Sequence, residues 1–414
     1  MGAGHATGLD VRRRRSTAVI FSHVALGSTS LFAAFTVGPL VATELTRSRV
    51  WSGLPGAFGV AGTALGASLI TVVMVRRGRA PGLRLGYAIG ALGGAGALLA
   101  VAVEVFPLLL AGMVLIGIGH DSNQLARFTA ADLHAPEARS TVLSWIVWAS
   151  TVGAVLGPLL PRRLRSVATG WDLPPEAAGF LVSLAFFAAA AALTGLLRPD
   201  PSVLAIEEDT AEGLRLAAPV RIMAKVPRIR AALVALLAAQ TAMVLVMTLT
   251  PLEIRDHGHG LGVVGLVMSA HFVGMFALAP VAGRAVARAG SSPVILFGLF
   301  VLVCGAVGAG LTAGEHSLPM GLWLFMLGVG WSAAFVASSA ILTHGLAYQA
   351  RVRVQGAVDT LAWAASAVAS AFSGLVLDRL GYLPLALAGA AIACVPIALL
   401  ARKGPMAEAA AEPA

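Results

Sequence analysis

Long apolar runs separated by polar spacers dominate this sequence. About twelve runs reach the roughly 20 apolar residues that a helix needs to cross the hydrocarbon core of a bilayer. They cover residues 17–41, 52–75, 84–103, 107–131, 140–161, 177–197, 230–251, 261–282, 293–313, 318–346, 354–377 and 382–401. The pattern predicts an all-α integral membrane protein with twelve transmembrane helices.

Most spacers are short, but one long polar segment divides the runs six and six. We therefore expect an N-terminal six-helix bundle over residues 1–197 and a C-terminal six-helix bundle over 230–401. Residues 198–229 form the expected cytoplasmic central loop, and 402–414 the expected cytoplasmic tail. Arg12–Arg15 precede an apolar run too long for a signal peptide, so we expect the first span to be retained.

Composition supports a membrane protein and argues against a soluble one. Of the 414 residues, 58% are hydrophobic and only 12% are charged, about half the charged fraction of a soluble domain. The net charge is +9, but the basic residues lie at the ends of apolar runs rather than on one polar face. We therefore expect no nucleic-acid partner.

The distribution of Lys and Arg predicts the orientation. If both termini are cytoplasmic, 22 of the 29 basic residues fall on the cytoplasmic side and 7 on the other. Basic residues favour the cytoplasmic side of a membrane protein. The sequence therefore predicts a multi-pass protein of the plasma or inner membrane with both termini inside.

The two halves also resemble each other in sequence. A gapless shift of 212 residues superimposes identical residues that lie near the ends of runs, and these include Pro39, Gly53, Arg76 and Gly78 on Pro251, Gly265, Arg288 and Gly290. Parallel repeats with an even number of spans in each half are typical of one large class of secondary transporters.

The fourth run carries the densest polar cluster within an apolar segment. Its members are His120, Asp121, Asn123, Gln124 and Arg127. On a helix all but Asp121 share one face, and Asp121 lies about 100° away. We expect this stripe to line a central cavity, with Asp121 or His120 as a protonatable site, because ionisable groups within a membrane are usually functional. The alternative is a wetted cluster near the helix end that holds helices together.

Four further polar residues lie inside apolar runs. Asp359, with Gln355 one turn earlier, is a second buried-acid candidate, and His271 and Gln240 are candidate cavity contacts. For each of them the alternative is a structural hydrogen bond. The two cysteines form no recognisable metal or disulfide pattern, and we expect no metal site and no cofactor.

Three motifs resemble those of the major facilitator superfamily. The segment with Arg76, Gly78 and Arg79 is similar to the family's loop after the second span, and it recurs after the eighth span as Gly283, Arg284, Arg288 and Gly290. The fifth span carries Gly153, Gly157 and Pro158, similar to the signature of the drug/proton antiporter branch. The resemblance covers nearly the whole chain and implies two pseudo-symmetric six-helix halves.

The sequence departs from the family's patterns at three positions. Val75 and Ala287 stand where the loop motif has Asp, and Met113 stands where antiporters often have Arg in the fourth span. The loop arginines and glycines, and the glycines and Pro158 of the fifth span, are candidates for gating or helix packing on the strength of the motifs themselves.

The resemblance implies a secondary transporter that works by alternating access, and we expect it to be a monomer. The apolar cavity expected from these spans, with few charges, suits a hydrophobic or amphipathic small molecule. The fifth-span signature favours proton-coupled efflux, of the multidrug type, with protons and the lipid bilayer as the other partners. Uptake, uncoupled facilitation and a non-transporting membrane receptor remain alternatives. We expect no enzymatic activity, because the sequence has no nucleophile elbow, P-loop or dinucleotide fingerprint.

Overall fold

The computed structural model is helical through nearly all of the residues that it describes, which are 2–134, 136–204, 227–313, 317–343 and 348–401. Twelve helices, α1 to α12, correspond to the twelve predicted spans. The first six are α1 (Gly2–Thr46), α2 (Leu54–Arg77), α3 (Arg79–Ala102), α4 (Phe106–Asp132), α5 (Pro136–Thr169) and α6 (Ala178–Thr194).

The second six begin with α7 (Pro227–Asp256). They continue with α8 (Leu261–Phe276, then Ala279–Ala289), α9 (Ser291–Leu311), α10 (Ser317–Thr343), α11 (Tyr348–Leu380) and α12 (Tyr382–Ala401). The largest boundary differences from the predicted runs are at α1, which begins 15 residues earlier, and at α5, which continues eight residues further. α5 runs through Pro158 and Pro161 without a break.

Length and hydropathy support a polytopic membrane protein. Within the described residues, nine helices are long and apolar enough to cross a membrane, and α12 is a shorter apolar helix over Tyr382–Ile397. With α4, α5 and α12 the spans number twelve, which confirms the predicted all-α membrane fold with two six-helix halves.

Two glycines that the sequence repeat pairs end equivalent helices. Gly78 follows α2 with φ +99°, and Gly290 follows the second segment of α8 with φ +80°. Residues with a Cβ rarely adopt this backbone conformation, so glycine favours the sharp reversal into the next helix. The repeat in the sequence therefore reflects a repeated helix-end geometry.

The predicted eighth span is one run in the sequence but two helical segments in the structure. The helix stops at Phe276, Ala277 and Leu278 form a turn, and a new segment starts at Ala279. Pro280 accounts for the break, because it has no N–H to donate to the carbonyl of Phe276 and its ring clashes with that carbonyl.

Residue contacts divide the chain into two compact units. The first comprises Met1–Asp209 with Gly260–Ser269, and the second comprises Thr210–His259 with Ala270–Ala414. In the first unit α4 packs on α2 and α3, and α1 packs on α5 and α6. In the second unit α9 packs on α10 and α12, and α7 packs on α10, α11 and α12. Each unit thus contains its own apolar core.

Candidate functional site

Three consecutive polar side chains of α4 are buried inside the first unit. Asp121 is 5% exposed, Ser122 is fully buried and Asn123 is 5% exposed. Consecutive helix positions are about 100° apart. Asp121 lies against α2 at Gly66, whereas Ser122 and Asn123 both bond to α3. Asp121 and Asn123 therefore make different contacts, although Asp121 still interacts electrostatically with Tyr87, which bonds to Asn123.

Asn123 is the centre of a buried hydrogen-bond network, here called the Asn123 network, formed with His23, Ser28 and Tyr87. The Tyr87 hydroxyl donates to Asn123 Oδ1 at 2.8 Å, and Asn123 Nδ2 donates to Ser28 Oγ at 3.1 Å. His23 Nδ1 lies 2.9 Å from the Tyr87 oxygen. Since the Tyr87 proton points to Asn123, His23 Nδ1 is the donor in this bond. The network joins α1, α3 and α4 inside the bundle.

The network leaves one histidine nitrogen unsatisfied. His23 is fully buried, and its Nε2 has no hydrogen-bond partner in the part of the chain that the structure describes. Buried polar atoms without a partner are uncommon and call for an explanation. With Nδ1 protonated, Nε2 is a hydrogen-bond acceptor without a donor among the described residues.

Asp121 lies against α2 and also interacts electrostatically with Tyr87 of the Asn123 network. A Cβ placed on Gly66 would lie 2.8 Å from the Cβ of Asp121, so the carboxyl group emerges where α2 and α4 approach each other closely. Its Oδ2 is buried and has no hydrogen-bond partner among the described residues. Arg127 interacts with it electrostatically. Asp121 is thus a buried acid with unused hydrogen-bonding capacity.

The other three members of the polar cluster predicted in α4, His120, Gln124 and Arg127, are half-buried. His120 Nδ1 lies 3.5 Å from Asn123 Nδ2, at the edge of the Asn123 network. The guanidinium carbon of Arg127 lies 4.9 Å from the centre of the Phe128 ring. Gln124 is partly exposed on the same side of the helix. The structure therefore brings His120 and Asn123 together, and places Arg127 near Asp121.

The second unit contains a different polar cluster, here called the Trp331 cluster, formed by Gln240, Trp331, Ser366, Phe276 and Phe335. Trp331 Nε1 donates to Gln240 Oε1 at 2.7 Å, and Gln240 Nε2 donates to Ser366 Oγ at 2.7 Å. The Trp331 ring stacks on Phe335, with centroids 4.9 Å apart, and meets Phe276 edge-on at 6.2 Å. The three rings are half-buried, so each keeps some accessible surface.

His271 makes a structural hydrogen bond within the second unit. Its Nδ1 lies 2.8 Å from the carbonyl oxygen of Leu324 and is therefore the donor. Its Nε2 is buried without a partner among the described residues. Asp359 is half-buried in α11 and takes part in further interactions. The side chain of Gln355 lies outside the described residues.

A carboxylate that the sequence did not single out anchors the loop between α2 and α3. Asp200 accepts hydrogen bonds from the backbone N–H groups of Arg79 and Ala80, at 3.1 and 2.8 Å, and from the backbone and hydroxyl of Ser202. Partial burial raises the pKa of Asp200, but these hydrogen bonds outweigh burial, and the pKa of the carboxyl is lowered. Asp200 follows α6 in sequence, so only folding brings it beside this loop.

The loop motif residues differ in their surroundings. Arg76 is exposed and Arg79 half-buried, and a Cβ on Gly78 would lie 2.8 Å from Asp200 Oδ2. In the second copy, Arg284 and Arg288 are exposed, and a Cβ on Gly283 or on Gly290 would meet nothing within 4 Å. Only the first copy is thus tightly packed.

The glycines of α5 lie against α1. A Cβ on Gly157 would be 2.7 Å from the Cβ of Phe32 and 2.8 Å from the carbonyl oxygen of Thr29, and one on Gly153 would overlap Ser28. Pro158 is buried beside them. Small residues allow this close approach of membrane helices. No group of three or more His, Cys, Asp or Glu within the described residues could hold a metal ion.

Two six-helix halves with buried polar clusters define a class of polytopic membrane transporter. The sequence profile of the Major Facilitator Superfamily matches residues 18–367, and the chain belongs to this family of transporters. It is 31% identical to an uncharacterized MFS-type transporter of Bacillus subtilis, YdeG, over 94% of this chain and 92% of the relative.

Two further similarities extend this comparison. A riboflavin transporter of Brucella anthropi, RfnT, is 27% identical over 89% of this chain and 90% of its own length. The crystal structure of a bacterial homolog of the human lysosomal transporter Spinster superimposes with a TM-score of 0.71 at 14% identity, over 94% of this chain and 96% of that one. The structural similarity supports the fold alone.

Proposed function

We propose that this protein is a proton-coupled secondary transporter that exports a hydrophobic or amphipathic small molecule by alternating access. Asp121 is the proposed proton carrier. The observation that carries this proposal is the buried Asp121 carboxyl group, whose Oδ2 has no hydrogen-bond partner among the described residues. A carboxyl group in this position can take up a proton without first breaking a hydrogen bond to that oxygen.

The Asn123 network has a supporting role in this proposal. Its bonds join α1, α3 and α4, so it holds the helix that carries Asp121 in a fixed orientation. The proposed carrier also lies close to Arg127, whose positive charge is available to the deprotonated state. The proposed direction of transport, export, rests on the resemblance of the fifth span to the antiporter signature at Gly153, Gly157 and Pro158.

The proposal includes an orientation in a cell membrane. Both termini and the central segment 198–229 are cytoplasmic, and residues 1–197 and 230–401 are the two bundles that move during transport. The transporter acts as a monomer without a cofactor or a metal. The 22 to 7 distribution of basic residues supports this orientation.

The test compares Asp121→Asn with Glu104→Gln, a matched charge removal at an exposed loop residue. Gradient-driven accumulation of hydrophobic compounds and substrate exchange without a gradient are measured in the same inverted vesicles. Asp121→Asn should abolish accumulation and retain exchange, because exchange needs substrate binding but no net proton movement. Normal accumulation in Asp121→Asn would exclude Asp121 as the carrier.

A second candidate function is uptake of a flat aromatic substrate, such as riboflavin. The stacked Trp331 and Phe335 rings, with the Gln240 amide fixed beside them, favour it. The 27% identity to a riboflavin transporter points the same way. Stacking on an aromatic side chain contributes about 0.5–1.5 kcal/mol, which corresponds to a change of about 2- to 12-fold in the dissociation constant.

Riboflavin binding to the purified protein tests this candidate. Phe335→Leu should weaken binding by that factor, whereas Phe300→Leu should not, because Phe300 is a 63% exposed ring of α9 in the same unit. Equal effects of the two substitutions would remove the Trp331 cluster from substrate recognition.

A further inference from the structure

A basic groove lies outside both polar clusters, where α2 and α6 end and α3 begins. It has a volume of about 550 Å³ and lies entirely within the first unit. Three arginines line it: Arg77 from the end of α2, Arg84 from the first turns of α3, and Arg198 from the segment after α6. A space of this size is within the range of small-molecule sites.

The three arginines are exposed, and their guanidinium groups have no partner among the described residues. Within the described ranges of the chain, none of them forms an ion pair or a side-chain hydrogen bond. Asp200 also lines the groove, but its two carboxylate oxygens accept hydrogen bonds from Arg79, Ala80 and Ser202. The groove therefore has an excess of positive charge with no described acidic partner for its guanidinium groups.

The groove is also apolar along its membrane side. Val73, Leu85 and Ala88 contribute to its lining from within α2 and α3. Neighbouring residues of α2 are strongly exposed, with Leu69 at 44% and Val72 at 48%. These exposed apolar side chains form a surface that lipid tails can cover with a gain in free energy. The groove thus presents arginines at the level where the spans end, and an apolar wall directly beside them.

We propose that this groove binds an anionic phospholipid of the adjacent leaflet. The phosphate contacts Arg77, Arg84 and Arg198, and the acyl chains lie along Val73, Leu85 and Ala88. Guanidinium groups form paired hydrogen bonds with phosphate oxygens, and basic pockets at the cytoplasmic ends of membrane helices suit anionic headgroups. An acidic peptide would satisfy the arginines but would gain nothing from the apolar wall.

Native mass spectrometry of the full-length protein in detergent tests the assignment. The probes are short-chain phosphatidylglycerol, short-chain phosphatidylcholine and inorganic phosphate. The variants are R77Q/R84Q/R198Q and, as a matched control, R162Q/R163Q/R165Q, which removes three exposed arginines from the end of α5. The groove variant should bind phosphatidylglycerol roughly 100-fold more weakly than wild type, at about fivefold for each arginine near the anionic group.

Phosphatidylcholine should bind wild type weakly, and the control variant should bind phosphatidylglycerol like wild type. Equal losses in the two triple variants would mean general charge attraction and would overturn the proposal. Displacement of the lipid by inorganic phosphate at similar concentrations would instead indicate a phosphate site without a lipid component.

An acidic segment of this chain is the alternative occupant of the groove that the test must distinguish from a lipid. Residues 205–226 contain Glu207, Glu208, Asp209 and Glu212. If phosphatidylglycerol binds wild type only after these four residues are neutralised, the groove belongs to that segment and the lipid assignment is wrong. A separate variant, Ala88→Phe, keeps all three arginines and should still weaken lipid binding, because it fills the apolar wall.

Discussion

Replacement of Gly157 by Ala tests whether close helix packing at α5 is required. The new Cβ would lie 2.7 Å from the Cβ of Phe32, 2.8 Å from the carbonyl oxygen of Thr29 and 3.0 Å from the backbone nitrogen of Ala33. Two of these atoms belong to the backbone of α1 and cannot rotate away. The added methyl group therefore forces α1 and α5 apart.

Gly283→Ala is the matched control, because Gly283 also lies inside a helix and its Cβ would meet nothing within 4 Å. Ala is favoured over Gly in a helix interior by about 1 kcal/mol at either site. Overpacking costs about 1–3 kcal/mol and applies to Gly157 alone. The difference between the two variants therefore isolates the packing cost at the contact between α1 and α5.

Thermal unfolding of the purified proteins in detergent measures this difference. A unit of 150–250 residues shifts its Tm by about 2–4 °C per kcal/mol, so a cost of about 1–3 kcal/mol should make Gly157→Ala unfold roughly 2–12 °C below Gly283→Ala. Gradient-driven transport, corrected for the amount of folded protein, should fall in Gly157→Ala. Equal Tm values for the two variants would refute the packing argument, and normal transport with a lowered Tm would limit Gly157 to a structural role.

Three further predictions concern single residues outside α5. Asn123→Leu should lower the free energy of unfolding by about 1–2 kcal/mol, because it leaves the buried Tyr87 hydroxyl without its acceptor, and a Tm equal to wild type would contradict the Asn123 network. Asp200→Ala should cost about 1 kcal/mol, as a lost helix cap does. Since the pKa of Asp200 is lowered, its contribution is complete above the pKa of an unfolded Asp and disappears as the pH falls through the lower folded value. The Tm difference between wild type and Asp200→Ala should therefore vanish in acid, and a difference that persists there would exclude the carboxylate as its cause. Pro280→Ala should join the two segments of α8, and hydrogen exchange of the amides at 277–281 should slow at least about fivefold, whereas unchanged exchange would show that Pro280 does not cause the break.

Much of the fold was predictable, because the bilayer leaves few alternatives. A chain in hydrocarbon must satisfy its backbone hydrogen bonds within each span, so apolar length alone indicates a helix. The sequence also contains the cause of the break in α8, because Pro280 lacks a backbone donor. The apolar run 261–282 is continuous, however, and therefore predicted a single helix. Helix ends were less predictable, as α5 shows. Arg162, Arg163 and Arg165 predicted a loop after the fifth span, but in the structure they belong to α5.

The candidate site was predictable in composition but not in arrangement. The sequence singled out Asp121 and Asn123 as polar residues inside a span, and helical geometry separated them by direction. It could not reveal that Asn123 bonds to Tyr87 and Ser28, since these residues come from helices 36 and 95 positions away.

The sequence by itself determined the number of spans, their helical nature and the polar residues inside them, because these follow from local hydropathy and backbone chemistry. Only the tertiary structure decided which helices meet, and therefore which polar atoms are satisfied. Asp200 lies 120 positions from Ala80 yet anchors its backbone, and Asp121 Oδ2 is buried without a partner among the described residues. Both facts depend on packing between distant helices, which no local pattern records.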